Sequence, residues 1–75
     1  MQLKDTNVND EMQIISLDTV SDKYAFRLQE MGLREGSVIR VVQNAVFGGK
    51  VITSSAARYA LDGKTAREIE VELVK

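Results

Sequence analysis

Mainly β, with five short strands bent into a small barrel, one helix inserted after the first strand and a short helical turn before the last: this is the fold class the sequence predicts. Three observations predict it. Short runs compatible with strands recur at Met12–Leu17, Val38–Asn44, Lys50–Ser54, Arg58–Leu61 and Ile69–Val74, the second of them rich in β-branched residues, with turn signals between them. Only the stretch from Ser21 to Met31 carries apolar residues at clear helical spacing. The chain has 75 residues, enough for one core, so residues 1–75 form a single domain.

Residues 1–11 are polar and acidic and read as a loosely held lead-in, with Leu3 or Val8 available to dock on the core. The first strand follows, and Asp18-Thr19-Val20 connects it to the helix. Ser21 suits the N-cap, where a hydroxyl can accept from a first-turn amide. Asp22 places negative charge at the positive end of the helix dipole. Tyr24, Leu28 and Met31 stack on one side at spacings of four and three. Gly32 stands where helices end in a left-handed residue, and Gly36 permits a second turn before Ser37 opens the next strand.

Val38–Asn44 is apolar on both faces, Val38 and Val42 on one and Ile39 and Val41 on the other. That pattern fits a strand covered on both sides or one twisting sharply round a small barrel. Phe47-Gly48-Gly49 is a hairpin turn whose glycines can supply positive φ. Ser55-Ala56-Ala57 is a weaker turn candidate. Asp62-Gly63 signals another turn, and Thr65-Ala66-Arg67-Glu68 matches a capping box opening a single helical turn. In the last strand Ile69, Val71 and Leu73 point inward and Glu70 and Glu72 outward. Those outward glutamates also discourage edge-to-edge aggregation.

Composition narrows the chemistry. The chain has neither cysteine nor histidine, which removes disulfides, thiol catalysis, Ser-His-Asp triads and soft-metal sites. No catalytic residue, metal ligand or cofactor is assigned. Asp10-Glu11 and Glu68, Glu70 and Glu72 read as solvated charges. Gly63-Lys64-Thr65 looks like the end of a phosphate loop, but the glycine required five positions earlier is Arg58. Ten basic residues face eleven acidic ones, and the basic ones are scattered. Nucleic acid is therefore not an expected partner, although folding could still gather dispersed arginines on one face. No run approaches the roughly 18 apolar residues of a membrane span, and the start lacks a signal-peptide core, so a cytoplasmic protein is the simplest expectation. Oligomeric state is not legible.

Two places invite a partner. Phe26 lies about 200° round the helix from Tyr24, among Asp22, Lys23, Gln29 and Glu30; it either packs under the lead-in or the Phe47 loop, or it anchors a partner. The second place is Leu28 to Gly36 with the Val46–Gly49 loop. There Leu28 and Met31 read first as core, while Phe47 either caps the barrel or is offered outward.

The same stretches carry a family resemblance. Arg27-Leu28, Met31-Gly32-Leu33 and Gly36-Ser37-Val38-Ile39 resemble the R-L-x-x-(L/M)-G-(L/M)-x-x-G-(S/T)-x-(V/I) signature of the FeoA (ferrous iron transport protein A) domain. Phe47-Gly48-Gly49 is similar to that family's proline-glycine turn, Ala60-Leu61 to its alanine-leucine pair, and Ala66-x-x-Ile69-x-Val71 to its closing strand. The chain departs from the family in having no proline, with Val46 and Lys50 flanking the turn. The resemblance implies an SH3-like barrel acting as a non-catalytic cytosolic accessory of bacterial ferrous iron uptake. Its implied partner is the cytosolic, GTPase-containing part of the FeoB membrane permease, which would recruit it to the inner face of the membrane without insertion. The partner-facing candidates are then Phe26, Arg27, Leu28, Met31, Gly32, Leu33, Phe47, Gly48 and Gly49, with Gly32, Gly36 and Gly63 shaping turns. The competing implication is a stand-alone module related to the C-terminal domain of metal-dependent repressors of the diphtheria-toxin-repressor type.

Overall fold

Alternation of side chains decides which face of each strand is covered. The computed structural model describes residues 1–54 and 57–74. Its elements in chain order are β1 (Glu11–Ser16), α1 (Asp22–Glu30), β2 (Val38–Asn44), β3 (Lys50–Ser54), β4 (Ala57–Leu61), α2 (Gly63–Glu68) and β5 (Glu70–Leu73). The strands form one antiparallel sheet in the order β4-β3-β2-β1-β5. Met12 and Ile14 of β1, Ile39 and Val41 of β2, Ile52 of β3 and Val71 of β5 point to the core. Val38 faces solvent, so β2 is covered on one face only, and the sharp-twist reading applies. Its ladder with β3 shifts between Val41 and Gln43, a bulge of the kind that bends a strand. Among the described residues no ladder joins β4 to β5; α2 links these two outer strands instead.

The helix α1 presents Leu28 to the core, with Tyr24, Ala25 and Met31 packed beside it. Ser21 takes the N-cap position and its carbonyl accepts the Ala25 N–H at 2.8 Å. Its hydroxyl, contrary to the sequence expectation, makes no cap bond. The side chain lines an open cleft beside the helix, where water can serve both it and the first-turn amides. The C-terminus follows the expected design. Gly32 adopts φ +87, its N–H donates to the Gln29 carbonyl at 3.0 Å, and the Leu33 N–H donates to the Leu28 carbonyl at 2.9 Å. That pair of bonds is a Schellman motif, whose usual apolar contact is made here by buried Leu28 and Leu33. Gly36, at φ +93, makes the second turn and donates its N–H to the Ile14 carbonyl at 2.7 Å.

The lead-in makes specific contacts. Leu3 is fully buried in a short 3-10 turn, Leu3–Asp5, whereas Val8 stays exposed. The Leu3 N–H donates to the Ile69 carbonyl at 2.9 Å, and the Val71 N–H to the Met1 carbonyl at 2.7 Å. Lys50 is buried as well: its ammonium donates to the Thr6 carbonyl at 2.8 Å and to Asn44 Oδ1 at 2.6 Å.

Glu68 ends α2, within the helical turn expected there, but two details of the C-terminal third depart from the sequence pattern. Asp62, rather than Thr65, caps α2, its carboxylate accepting the Thr65 N–H at 2.9 Å; Thr65 is buried inside the helix. Leu73, expected inward, is exposed because it sits near the open end of an edge strand, beyond the buried Ile69 and Val71. The turn candidate Ser55-Ala56-Ala57 lies outside the described residues except for Ala57, which opens β4.

Candidate functional site

The hairpin between β2 and β3 carries the two most exposed large hydrophobic side chains among the described residues. Asn44 pairs with Lys50 at its base. Above them the Ala45 N–H donates to the Gly49 carbonyl at 2.8 Å, and the Gly49 N–H to the Val46 carbonyl at 3.1 Å. The sequence pattern assigns positive φ to the two glycines, but it falls on Phe47 (φ 56) and Gly48 (φ 81). Gly49 is in the extended region at φ −68. Gly49 is required by space instead: a Cβ there would meet the Leu61 carbonyl oxygen at 2.9 Å and the Ala45 Cβ at 3.3 Å.

This loop is braced from below by α2. A Cβ on Gly63 would collide with the Phe47 carbonyl oxygen and lie 3.1 Å from its carbon. Gly63 therefore serves close backbone approach at the start of a helix, and it has no left-handed turn to make. The backbone is seated while the side chain is free: Phe47 is 94% exposed and Val46 77%.

Phe26 is the other projecting aromatic, at 64% exposure. It points away from the Leu28 face, so neither the lead-in nor the Phe47 loop covers it. The chain contains two phenylalanines, and both stand outside a core made of aliphatic side chains.

The remaining candidates separate by burial. Leu28 and Leu33 are core and Gly49 is buried, so these three shape the fold and cannot touch a partner directly. Met31 is half-buried, with its carbonyl accepting the Tyr59 hydroxyl at 2.8 Å. Gly32 and Gly48 are exposed backbone turns. Arg27 is exposed and lines a cleft of about 420 Å³ between α1 and α2, with Lys23 and Tyr24 on one wall and Asp62, Lys64 and Glu68 on the other. Hydrogen bonding by Thr65, through side chain and amide, holds the Asp62 carboxyl below its ordinary value of 3.8. Phe47 adjoins the α2 side of this cleft through Gly63, whereas Phe26 crests α1. Sequence reasoning passed over Lys23, Lys64 and Arg67 as functional residues; Lys23 lies one helical turn before Arg27, and the packing of α2 near α1 and the hairpin brings Lys64 near Arg27 and Arg67 near the Phe47 loop. An apolar knob beside a charged cleft is the chemistry of recognition.

A model of the FeoA domain family matches residues 1–73. Among solved structures, the FeoA protein from Chlorobium tepidum superposes with a TM-score of 0.91 at 20% identity, covering 100% of this chain and 71% of that one. The zinc complex of Stenotrophomonas maltophilia FeoA, a procaryotic SH3 domain protein, gives a TM-score of 0.77 at 24% identity, covering 96% of this chain and 89% of that one. The manganese regulator SloR gives 0.79 at 14% identity, covering 99% of this chain but 34% of that one. No curated protein matches the sequence significantly. The superpositions identify the five-stranded sheet and its inserted helix as SH3-like.

Proposed function

The chain belongs to the FeoA domain family, and on that footing we propose a non-catalytic accessory of bacterial ferrous iron uptake. It docks on the cytosolic, GTPase-containing part of a FeoB-type permease and biases that protein's conformation. Its seat at the inner face of the membrane comes through the permease. The observation that carries this reading is the placement of both phenylalanines on the outside of a small rigid domain, Phe47 at 94% exposure and Phe26 at 64%. Burying one such side chain contributes about 1.5–3 kcal/mol, against about 8 kcal/mol for micromolar affinity. Two anchors thus supply a substantial share of a regulatory contact. Docking shifts the permease only if its two nucleotide states bind the domain unequally.

The test is a titration of the purified chain against the cytosolic part of its cognate permease with GDP and with a non-hydrolysable GTP analogue. Binding is expected in at least one state, weakened about tenfold or more by Phe47→Ala or Phe26→Ala with an unchanged melting curve. No binding in either state, repeated with the full permease in membranes, refutes the proposal. The likeness to SloR favours one second reading, a stand-alone module serving a transcriptional regulator; a regulator gene beside this one, in place of a permease gene, would select it.

A further inference from the structure

Resting on the docking reading above, we propose that the permease meets this domain with an acidic segment of polypeptide, received in the cleft between α1 and α2 next to the apolar socket that takes Phe47. Lys23 and Arg27 line the cleft from α1 and Lys64 lines it from α2. A fourth cation, Arg67, reaches the point where α2 braces the hairpin: its Nη1 lies 3.5 Å from the position of a Cβ on Gly63, the same position that abuts the Phe47 carbonyl. Four exposed cations thus border the cleft and the base of the Phe47 loop.

The carboxylates nearby offset them only in part. Asp62, the cap of α2, stays charged and faces Lys64 and Arg67, and Glu68 is the one other carboxylate lining the cleft, so four cations stand against two anions. The ion pairs among the described residues are Met1–Glu70, Lys4–Asp5 and Arg40–Glu11; none involves the four cations. The chain as a whole is slightly acidic, with formal net charge −1, so this surface is a local positive field on a molecule of opposite sign. Its side chains come from positions 23, 27, 64 and 67, scattered in sequence and gathered by the fold.

Shape selects the kind of anion. A concave cleft walled by two helices admits one strand of polypeptide, whereas a flat lipid surface meets the Phe47 tip but not the cleft walls. Exposed charges around an apolar anchor act mainly on the rate of encounter and on its salt dependence.

The experiment measures association kinetics of the full chain with the cytosolic part of the permease at about 50 and about 500 mM salt. The variants are wild type and Lys23→Glu/Lys64→Glu. Both substitutions put glutamate in the first turn of a helix, where the dipole favours it, so the fold is retained, and a melting curve checks this. The wild-type association rate is expected to fall about tenfold between the two salts, and the double variant to associate about tenfold more slowly at low salt with most of the salt dependence gone. Wild-type binding that ignores both salt and charge reversal overturns this inference and leaves the docking reading standing. Failure of the wild type to bind in either nucleotide state overturns both. A separate arm uses vesicles of phosphatidylglycerol and phosphatidylethanolamine without permease; charge-dependent retention on them overturns the acidic polypeptide in favour of a lipid headgroup.

Discussion

Replacing Gly63 with alanine should destabilise the domain although alanine is the better helix former. Gly63 opens α2, so helix propensity and unfolded-state entropy favour Gly63→Ala by about 0.5–1 kcal/mol. Against this stands the new methyl group, which would collide with the Phe47 carbonyl oxygen and lie 3.1 Å from its carbon. Overpacking costs about 1–3 kcal/mol, and the obstacle is backbone, which cannot swing aside as a side chain can. The hairpin has little room to retreat, because Gly49 in the same loop already abuts Leu61, with space for no Cβ. The steric cost should win, for a net loss of about 1–2 kcal/mol. In a domain of this size that lowers the melting temperature by roughly 4–16 °C. Thermal and urea denaturation followed by circular dichroism would measure it. The comparison variant is Gly32→Ala, which meets nothing within 4 Å and is strained only by its left-handed φ. Loosening the loop with Phe47→Gly should recover part of the Gly63→Ala loss but none of the Gly32→Ala loss, since only the first pair is in contact. A Gly63→Ala protein that melts at or above the wild-type temperature refutes the bracing of the loop by α2.

Phe47→Gly alone should raise stability by up to about 1 kcal/mol, because it relieves a left-handed non-glycine residue and removes no buried surface; denaturant midpoints would show the gain while permease binding is lost. Tyr59→Phe deletes the 2.8 Å bond to the Met31 carbonyl and should cost about 1 kcal/mol, read from the same midpoints. Asp62→Ala should lower the melting temperature near neutral pH. The folded-state carboxyl titrates below its ordinary 3.8, so its contribution is present above that value and fades as pH falls through the depressed one. The gap between variant and wild type should therefore close in acid, and a gap that widens there refutes the cap.

The strand pattern and the glycine-terminated helix were legible because each rests on local chemistry. Ile69 and Val71 alternate with Glu70 and Glu72, and Gly32 follows a helix of the right spacing. What sequence could not give were facts set by close approach. Nothing in Asp62-Gly63-Lys64 says that Gly63 lies under a carbonyl sixteen residues earlier, so the pair reads as a turn when it is a capped helix start. Thr65 fits a capping box, but the helix opens about one turn earlier, and the Thr65 amide is itself the donor that Asp62 caps. Phe47 precedes two glycines, which disguises its own left-handed backbone. Of the candidate site, Phe26 and Phe47 were visible as aromatics in unusual company. Leu28 was legible as core from its helical spacing, but the burial of Leu33 and Gly49 and the gathering of Lys23 and Arg27 with Lys64 and Arg67 needed the folded chain.

The buried Lys50 ammonium ties Thr6 to Asn44 and thereby joins the first few residues to the foot of the hairpin. A shortened version beginning at Glu11 would keep every strand of the sheet, yet it would strand that amine without its carbonyl and free the hairpin base to shift. Such a truncation can look native by circular dichroism and still fail in a pull-down, so the ten residues ahead of the sheet belong in any minimal binding fragment.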